Sequence, residues 1–189
     1  RAAYQAALDR LTGLEREEAQ VGIGAADYLK GSTAAAYSFL RGLSLGESEA
    51  DAERLYYMEE CARRLSNDDG MMAAVQALDQ RHPKSSWRFK ALVSAANRFL
   101  LVNQPDRYLP LYKAAYQDFP RETAAGTAHW KATFYAWMHN QADAAGFIKL
   151  NALRLRIGAN VNAKRDAAGK PARKVAAKKA AAKKAGKTK

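Results

Sequence analysis

Apolar positions between Glu49 and Met138 recur at helical spacing. Phe89, Leu92, Val93, Ala96, Phe99 and Leu100 fall at i, i+3, i+4, i+7, i+10 and i+11, which places them on one helix face. Leu55, Met58, Ala62 and Leu65 form a second stripe. Tyr108, Leu111, Tyr112, Ala115 and Phe119 form a third, and Trp130, Phe134, Trp137 and Met138 a fourth. No run alternates apolar and polar with period two, so no strand or hairpin competes with helix.

Turn residues punctuate these stripes at a nearly fixed interval. Gly31, Asn67, Asn103 and Asn140 are separated by 36, 36 and 37 residues; Gly46, Pro83, Pro120 and Gly158 follow one another at 37, 37 and 38. Two breaks per interval divide each unit into a helix of about 16 residues and one of about 13, the arrangement of a helical-hairpin array. The sequence therefore predicts an all-α fold, an α-solenoid of antiparallel helical hairpins with a period of about 36–37. Ser48, Ser85 or Ser86, and Pro105 are the expected helix starts, and Asn can adopt the left-handed conformation that ends a helix. Residues 1–24 are less regular and read as a partial repeat. The period exceeds the roughly 34 residues of tetratricopeptide repeats, and their Trp-Leu-Gly-Tyr pattern is missing, so the array is tetratricopeptide-like.

Charge separates the chain into two parts. The net charge is +12, yet from Lys164 onward eleven cations face one anion, Asp166, which leaves only +2 for residues 1–163. The isoelectric point near 9.9 thus reports the tail. The organisation predicted is a helical-repeat body over 1–158 and a disordered Lys/Ala-rich tail over 159–189. Basic pairs recur there every five residues (Arg173-Lys174, Lys178-Lys179, Lys183-Lys184), followed by Lys187 and Lys189. A five-residue step turns a helix by about 140°, so a helical tail would spread its charge and have no apolar face for a membrane. It reads as an unfolded polycation for nucleic acid or anionic envelope polymers.

Little points to chemistry. Cys61 is the single cysteine, which excludes an internal disulfide or a thiolate metal cluster. The histidines His82, His129 and His139 lack zinc-binding spacing, and Cys61 has no histidine close in sequence and reads as a buried, inert thiol. A glycosidase of the usual kind needs two placed carboxylates; Glu15, Glu17, Glu18, Asp68 and Asp69 cluster instead in hydrophilic helix faces and turns. No catalytic residue, metal or cofactor is predicted. No apolar run of eighteen residues suggests a membrane-spanning helix, and no signal-peptide pattern opens the chain, although Arg at position 1 is expected of a fragment or processed chain. The aromatic residues are expected mostly between hairpins. Tyr108, Tyr112, Tyr116 and Trp137 are the candidates for ring stacking on a ligand from the surface.

Asn97-Arg98-Phe99-Leu100-Leu101, Tyr108-Leu109-Pro110-Leu111-Tyr112 through Phe119-Pro120, and Ala128-His129-Trp130-Lys131-Ala132 with Trp137 resemble the helical superhelix of soluble lytic murein transglycosylases. Tyr56-Tyr57-Met58-Glu59-Glu60-Cys61-Ala62-Arg63-Arg64-Leu65 is similar to an upstream repeat of that region, and the resemblance covers roughly residues 25–150. It implies a periplasmic or cell-envelope protein whose superhelix accompanies a peptidoglycan-cleaving, lysozyme-like domain. That domain, with its catalytic Glu-Ser pair, has no counterpart here; Glu47-Ser48 lies in a repeat turn without the flanking pattern.

Two functions follow as expectations. In the first, the chain is a non-catalytic binding or scaffold module of an envelope peptidoglycan-processing protein, engaging peptidoglycan or a protein partner through its superhelix and polyanions through its tail. In the alternative, it is a cytoplasmic, nucleic-acid-associated helical-repeat protein with a histone-like tail. The break in the resemblance near Asn151 also fits a tail produced by a shifted reading frame.

Overall fold

The computed structural model describes residues 1–138, and among them the chain forms eight α-helices and no strand. These are α1 (Ala2–Ala7), α2 (Gly13–Leu29), α3 (Thr33–Arg41), α4 (Glu49–Arg64), α5 (Asp68–Arg81), α6 (Ser86–Leu101), α7 (Pro105–Asp118) and α8 (Ala125–Met138), with a 3-10 turn at Leu8–Arg10. Asn140, Gly158 and the whole tail lie outside the described residues.

Three connections share one chemistry. Gly31, Ser66 and Asn103 have positive φ values of 87°, 56° and 54°. In each case the next residue's N–H reaches a carbonyl five positions back: Ser32 to Asp27 (2.9 Å), Asn67 to Ala62 (2.9 Å) and Gln104 to Phe99 (2.9 Å). This left-handed closure satisfies carbonyls that the helix end would orphan. The expectation for Asn67 is off by one residue. Ser66 takes the left-handed position, while the Asn67 side chain accepts from the Gly70 N–H at 2.9 Å and caps α5. Ser48 and Ser85 cap α4 and α6 as expected, accepting from the N–H groups of Asp51 and Trp87, and Pro105 opens α7.

Successive helices pack on one another, and α2, α4 and α6 also pack side by side. These three run parallel: Glu17 bonds to Ser48 and Tyr28 to Glu60 across α2 and α4, and Glu49 to Ser85 and Glu60 to Ser94 across α4 and α6. Gly24 permits the α2 to α3 approach, since a Cβ there would stand 2.4 Å from Leu40. One apolar cluster (Val21, Tyr28, Ala36, Leu40, Cys61) fills the α2–α4 side; a larger one runs from Leu55 through Met71, Leu78, Leu92 and Phe99 to Tyr112 and Ala128. Helix α4 touches α2, α3, α5 and α6 and is therefore buried on several sides.

A candidate ligand-binding face on three parallel helices

An aromatic row crosses the parallel helices. Tyr28 on α2 lies 5.6 Å from Tyr57 on α4 between ring centroids; Tyr57 lies 5.3 Å from its neighbour Tyr56, and Tyr56 5.2 Å from Trp87 on α6. Tyr28 is buried, whereas Tyr56, Tyr57 and Trp87 are half-buried. Cations sit on the ends of the row: the Arg64 guanidinium is 3.7 Å above the Tyr28 ring and the Lys90 ammonium 3.5 Å from the Trp87 centroid. Burial pushes the Tyr56 phenol up to about 12, with the carboxylates of Glu60 and Glu59 adding to the effect, so the row stays neutral across ordinary pH.

Two clefts of about 550 Å³ each flank this row. The first, at the amino-terminal ends of α2 and α4, is lined by Glu15, Glu18, Glu49 and Glu53 around Tyr4 and Trp87. The second, toward the carboxy-terminal ends of α4 and α6, is lined by Glu60, Arg63, Lys90, Ser94, Asn97 and Arg98, among others. Glu60 is the hub of the second cleft. It accepts from Tyr28 Oη (2.5 Å), Ser94 Oγ (2.5 Å) and Arg63 Nη2 (2.6 Å). Burial alone would raise its pKa, but these donors outweigh burial and hold the carboxyl below its usual range.

The neighbouring Glu59 behaves oppositely. Its side chain is fully buried and neither carboxyl oxygen has a hydrogen-bond partner among the described residues. Burial, with the Glu60 carboxylate adding to it, pushes its pKa up to about 9. A protonated carboxyl beside an ionised one resembles an acid–base pair, yet Glu59 is sealed from solvent and lines neither cleft. It can hold a proton but can reach no substrate.

A second ionic cluster lies at the other end of α4. Fully buried Asp51 accepts from Arg54 Nε (2.8 Å) and faces Arg81 Nη1 (2.8 Å) and His82 Nε2 (2.7 Å). Arg54 also donates to the Leu40 carbonyl and Arg81 to the Leu45 carbonyl. The cluster ties α4 and α5 to the end of α3 and the loop after it.

The residues expected to stack on a ligand are distributed differently. Tyr108 and Tyr112 are buried, at 2% and 0% exposure, and their expected surface role is corrected: both belong to the core. Tyr112 donates to Asn97 Oδ1 at 2.7 Å, and Lys131 Nζ reaches the same oxygen at 2.6 Å. Tyr108 packs edge-on against Tyr135 and borders an apolar cleft of about 490 Å³ with Trp130 and Phe134. Half-buried Tyr116 packs 4.1 Å from the His129 ring, whose pKa burial lowers. Trp137 is 45% exposed and packs on Phe134. The structure thus does not gather the four into one site. Tail residues Arg173, Lys174, Lys178, Lys179, Lys183, Lys184, Lys187 and Lys189, and His139, lie outside the described residues.

Cys61 is buried as expected, and burial pushes its thiol up to about 11. Ser48 of the Glu47-Ser48 pair is a helix cap that donates to Glu17 Oε2 at 2.6 Å. Among the described residues no group of three or more His, Cys, Asp or Glu forms a metal-binding set, and no helix is long and apolar enough to cross a membrane. No family model, curated protein or solved structure matches the chain.

Sequence reasoning passed over Tyr56, Tyr57 and Trp87 as a unit. Their signal was available in retrospect: Tyr56 and Tyr57 are adjacent on α4 and precede Trp87 by 31 and 30 residues, close to the offsets of 31 to 36 at which the parallel helices cross-bond.

Proposed function

We propose that this chain is a non-catalytic helical-repeat binding module of the cell envelope, akin to the superhelix of lytic transglycosylases, which engages peptidoglycan or a protein partner on the α2–α4–α6 face. The observation that carries this reading is the row Tyr28, Tyr57, Tyr56 and Trp87, which crosses three parallel helices and offers half-buried rings on α4 and α6. The α-solenoid reading is supported by the recurring left-handed turns and by side-chain bonds that repeat along the array, Tyr28 to Glu60 and then Ser94 to Glu60. Repeats of this kind present extended surfaces to elongated ligands. The basic tail is the polyanion-binding element.

Sedimentation with purified peptidoglycan sacculi at about 0.5 M salt, where surface charge is screened, tests the reading. Full-length protein is expected to pellet and Tyr56→Ala/Trp87→Ala to remain in the supernatant. Equal pelleting of the two would remove the aromatic row from the mechanism. The cytoplasmic, nucleic-acid-associated alternative is favoured by the tail's charge, +10 over residues 164–189. Neutralising about ten phosphates predicts a log–log salt slope of roughly −9 for DNA binding. A body of +2 that bound DNA in high salt without its tail would favour that alternative.

A further inference from the structure

The two clefts beside the aromatic row carry opposite charge, and the parallel run of α2, α4 and α6 aligns that difference along one axis. The amino-terminal cleft has four carboxylates, from Glu15, Glu18, Glu49 and Glu53, and no cation in its lining. The lining of the carboxy-terminal cleft has Arg63, Lys90 and Arg98 against Glu60, with Arg63 bonded to Glu60 and Arg98 paired with Asp68 outside the lining. Along α4, Glu49 and Glu53 precede Arg63 by ten to fourteen residues, about 15–21 Å at 1.5 Å per residue. Acids at helix starts and bases at helix ends also suit helix dipoles, but that effect fades within the first turn. Glu18 and Glu53 lie beyond the first turns of α2 and α4 and still face the cleft.

Trp87 and Lys90 join the two ends. Trp87 lines the acidic cleft, Lys90 lines the basic one, and the ammonium lies 3.5 Å from the indole centroid. The same aromatic surface therefore already holds a lysine head at the boundary between the two charges.

Resting on the binding-module reading above, we propose that this face is a dipolar groove for an extended segment of a partner protein, with cationic side chains over Glu18 and Glu53 and acidic ones over Arg63 and Arg98, past Lys90 at the boundary. An extended chain advances about 3.3 Å per residue, so the two charged ends of the segment stand about five or six residues apart. Charge of this pattern sets which way the segment lies and rejects uniformly charged chains.

The probe is a labelled peptide of two lysines, five Gly/Ser residues and two aspartates, titrated into full-length protein at about 0.15 M salt. Glu18→Lys/Glu53→Lys and Arg63→Glu/Arg98→Glu are each expected to weaken binding about tenfold. Combining all four with Glu15→Lys leaves the amino-terminal cleft at +2 and the carboxy-terminal one at −2, which inverts the dipole and restores binding, because the peptide can lie the other way round. The tail is common to every variant, so differences between them read the groove. Glu18→Gln/Glu53→Gln, with little change of shape, guards against misfolding and moves affinity in the same direction. Unchanged affinity in that pair, no recovery in the fivefold variant, or a tetralysine peptide that binds as tightly as the dipolar one overturns the proposal; the last result would leave an acidic site for the chain's own tail. If Trp87→Ala abolishes sacculus pelleting while the charge variants leave peptide affinity unchanged, the dipolar groove falls and the module reading stands. If Trp87→Ala changes neither, the dipolar groove falls and the aromatic row is removed from the module reading as well.

Discussion

Asp51 and Glu59 lie eight residues apart on α4, both fully buried and both carboxylic acids, and their surroundings differ completely. Asp51 meets Arg54, Arg81 and His82, so its charge is neutralised by groups from two helices. Glu59 has no hydrogen-bond partner among the described residues and the like charge of Glu60 beside it, and burial keeps its proton on. Burial alone therefore says little about what an acid does in this fold. The partner set decides whether it is a fastened ion or a stored proton.

The sharpest way to break the contrast is Asp51→Ala, which leaves Arg54 and Arg81 buried or half-buried without their anion. A loss of about 3–5 kcal/mol in urea unfolding at pH 7 is expected; a loss under 1 kcal/mol would mean the cluster is not a clamp.

Glu59 should give the next largest effect, through pH. Its folded pKa of about 9 lies above the unfolded value near 4.5. Its stabilising contribution is thus complete below about pH 4.5, declines as pH rises, and is lost once pH passes about 9. The decline amounts to about 3 kcal/mol by pH 7, at roughly 1.4 kcal/mol per pH unit. Glu59→Gln should flatten this part of the pH–stability curve, and an unchanged curve would show that Glu59 ionises in place or is not the group responsible.

Smaller effects probe the charged neighbour. Tyr28→Phe and Ser94→Ala each remove one donor to Glu60 and should cost about 1–2 kcal/mol. A double-mutant cycle that gives strictly additive losses would show that the two donors do not share one carboxylate. The smallest change is expected from Ser48→Ala, about 1 kcal/mol for the lost cap of α4, measured as the shift in urea midpoint.

The helical architecture was legible because each of α4, α6 and α7 carries one apolar stripe bounded by turn residues. Pattern reading failed where a helix is buried on more than one side. The stripe Leu55, Met58, Ala62 describes a single face of α4, whereas its contacts with four helices also bury Asp51, Arg54, Glu59 and Cys61. Glu59 does fall seven residues after Ala52 on the stripe's own period, an interruption that could have marked it. The aromatic candidates failed for a related reason. Tyr108 and Tyr112 are members of the α7 stripe, and the periodicity that predicted the helix also predicted their burial. The aromatic row was harder to see, because three helices distant in sequence assemble it.

The inter-helix bonds have a kinetic consequence as well. Tyr28 to Glu60, Glu49 to Ser85, Glu60 to Ser94 and Asn97 to Lys131 join positions 32, 36, 34 and 34 residues apart. Each such contact closes only a short length of chain, so its loop-closure entropy is modest and nearly the same at every junction. Refolding should then be rapid for a chain of this size, with no long loop to close before its helices can pack.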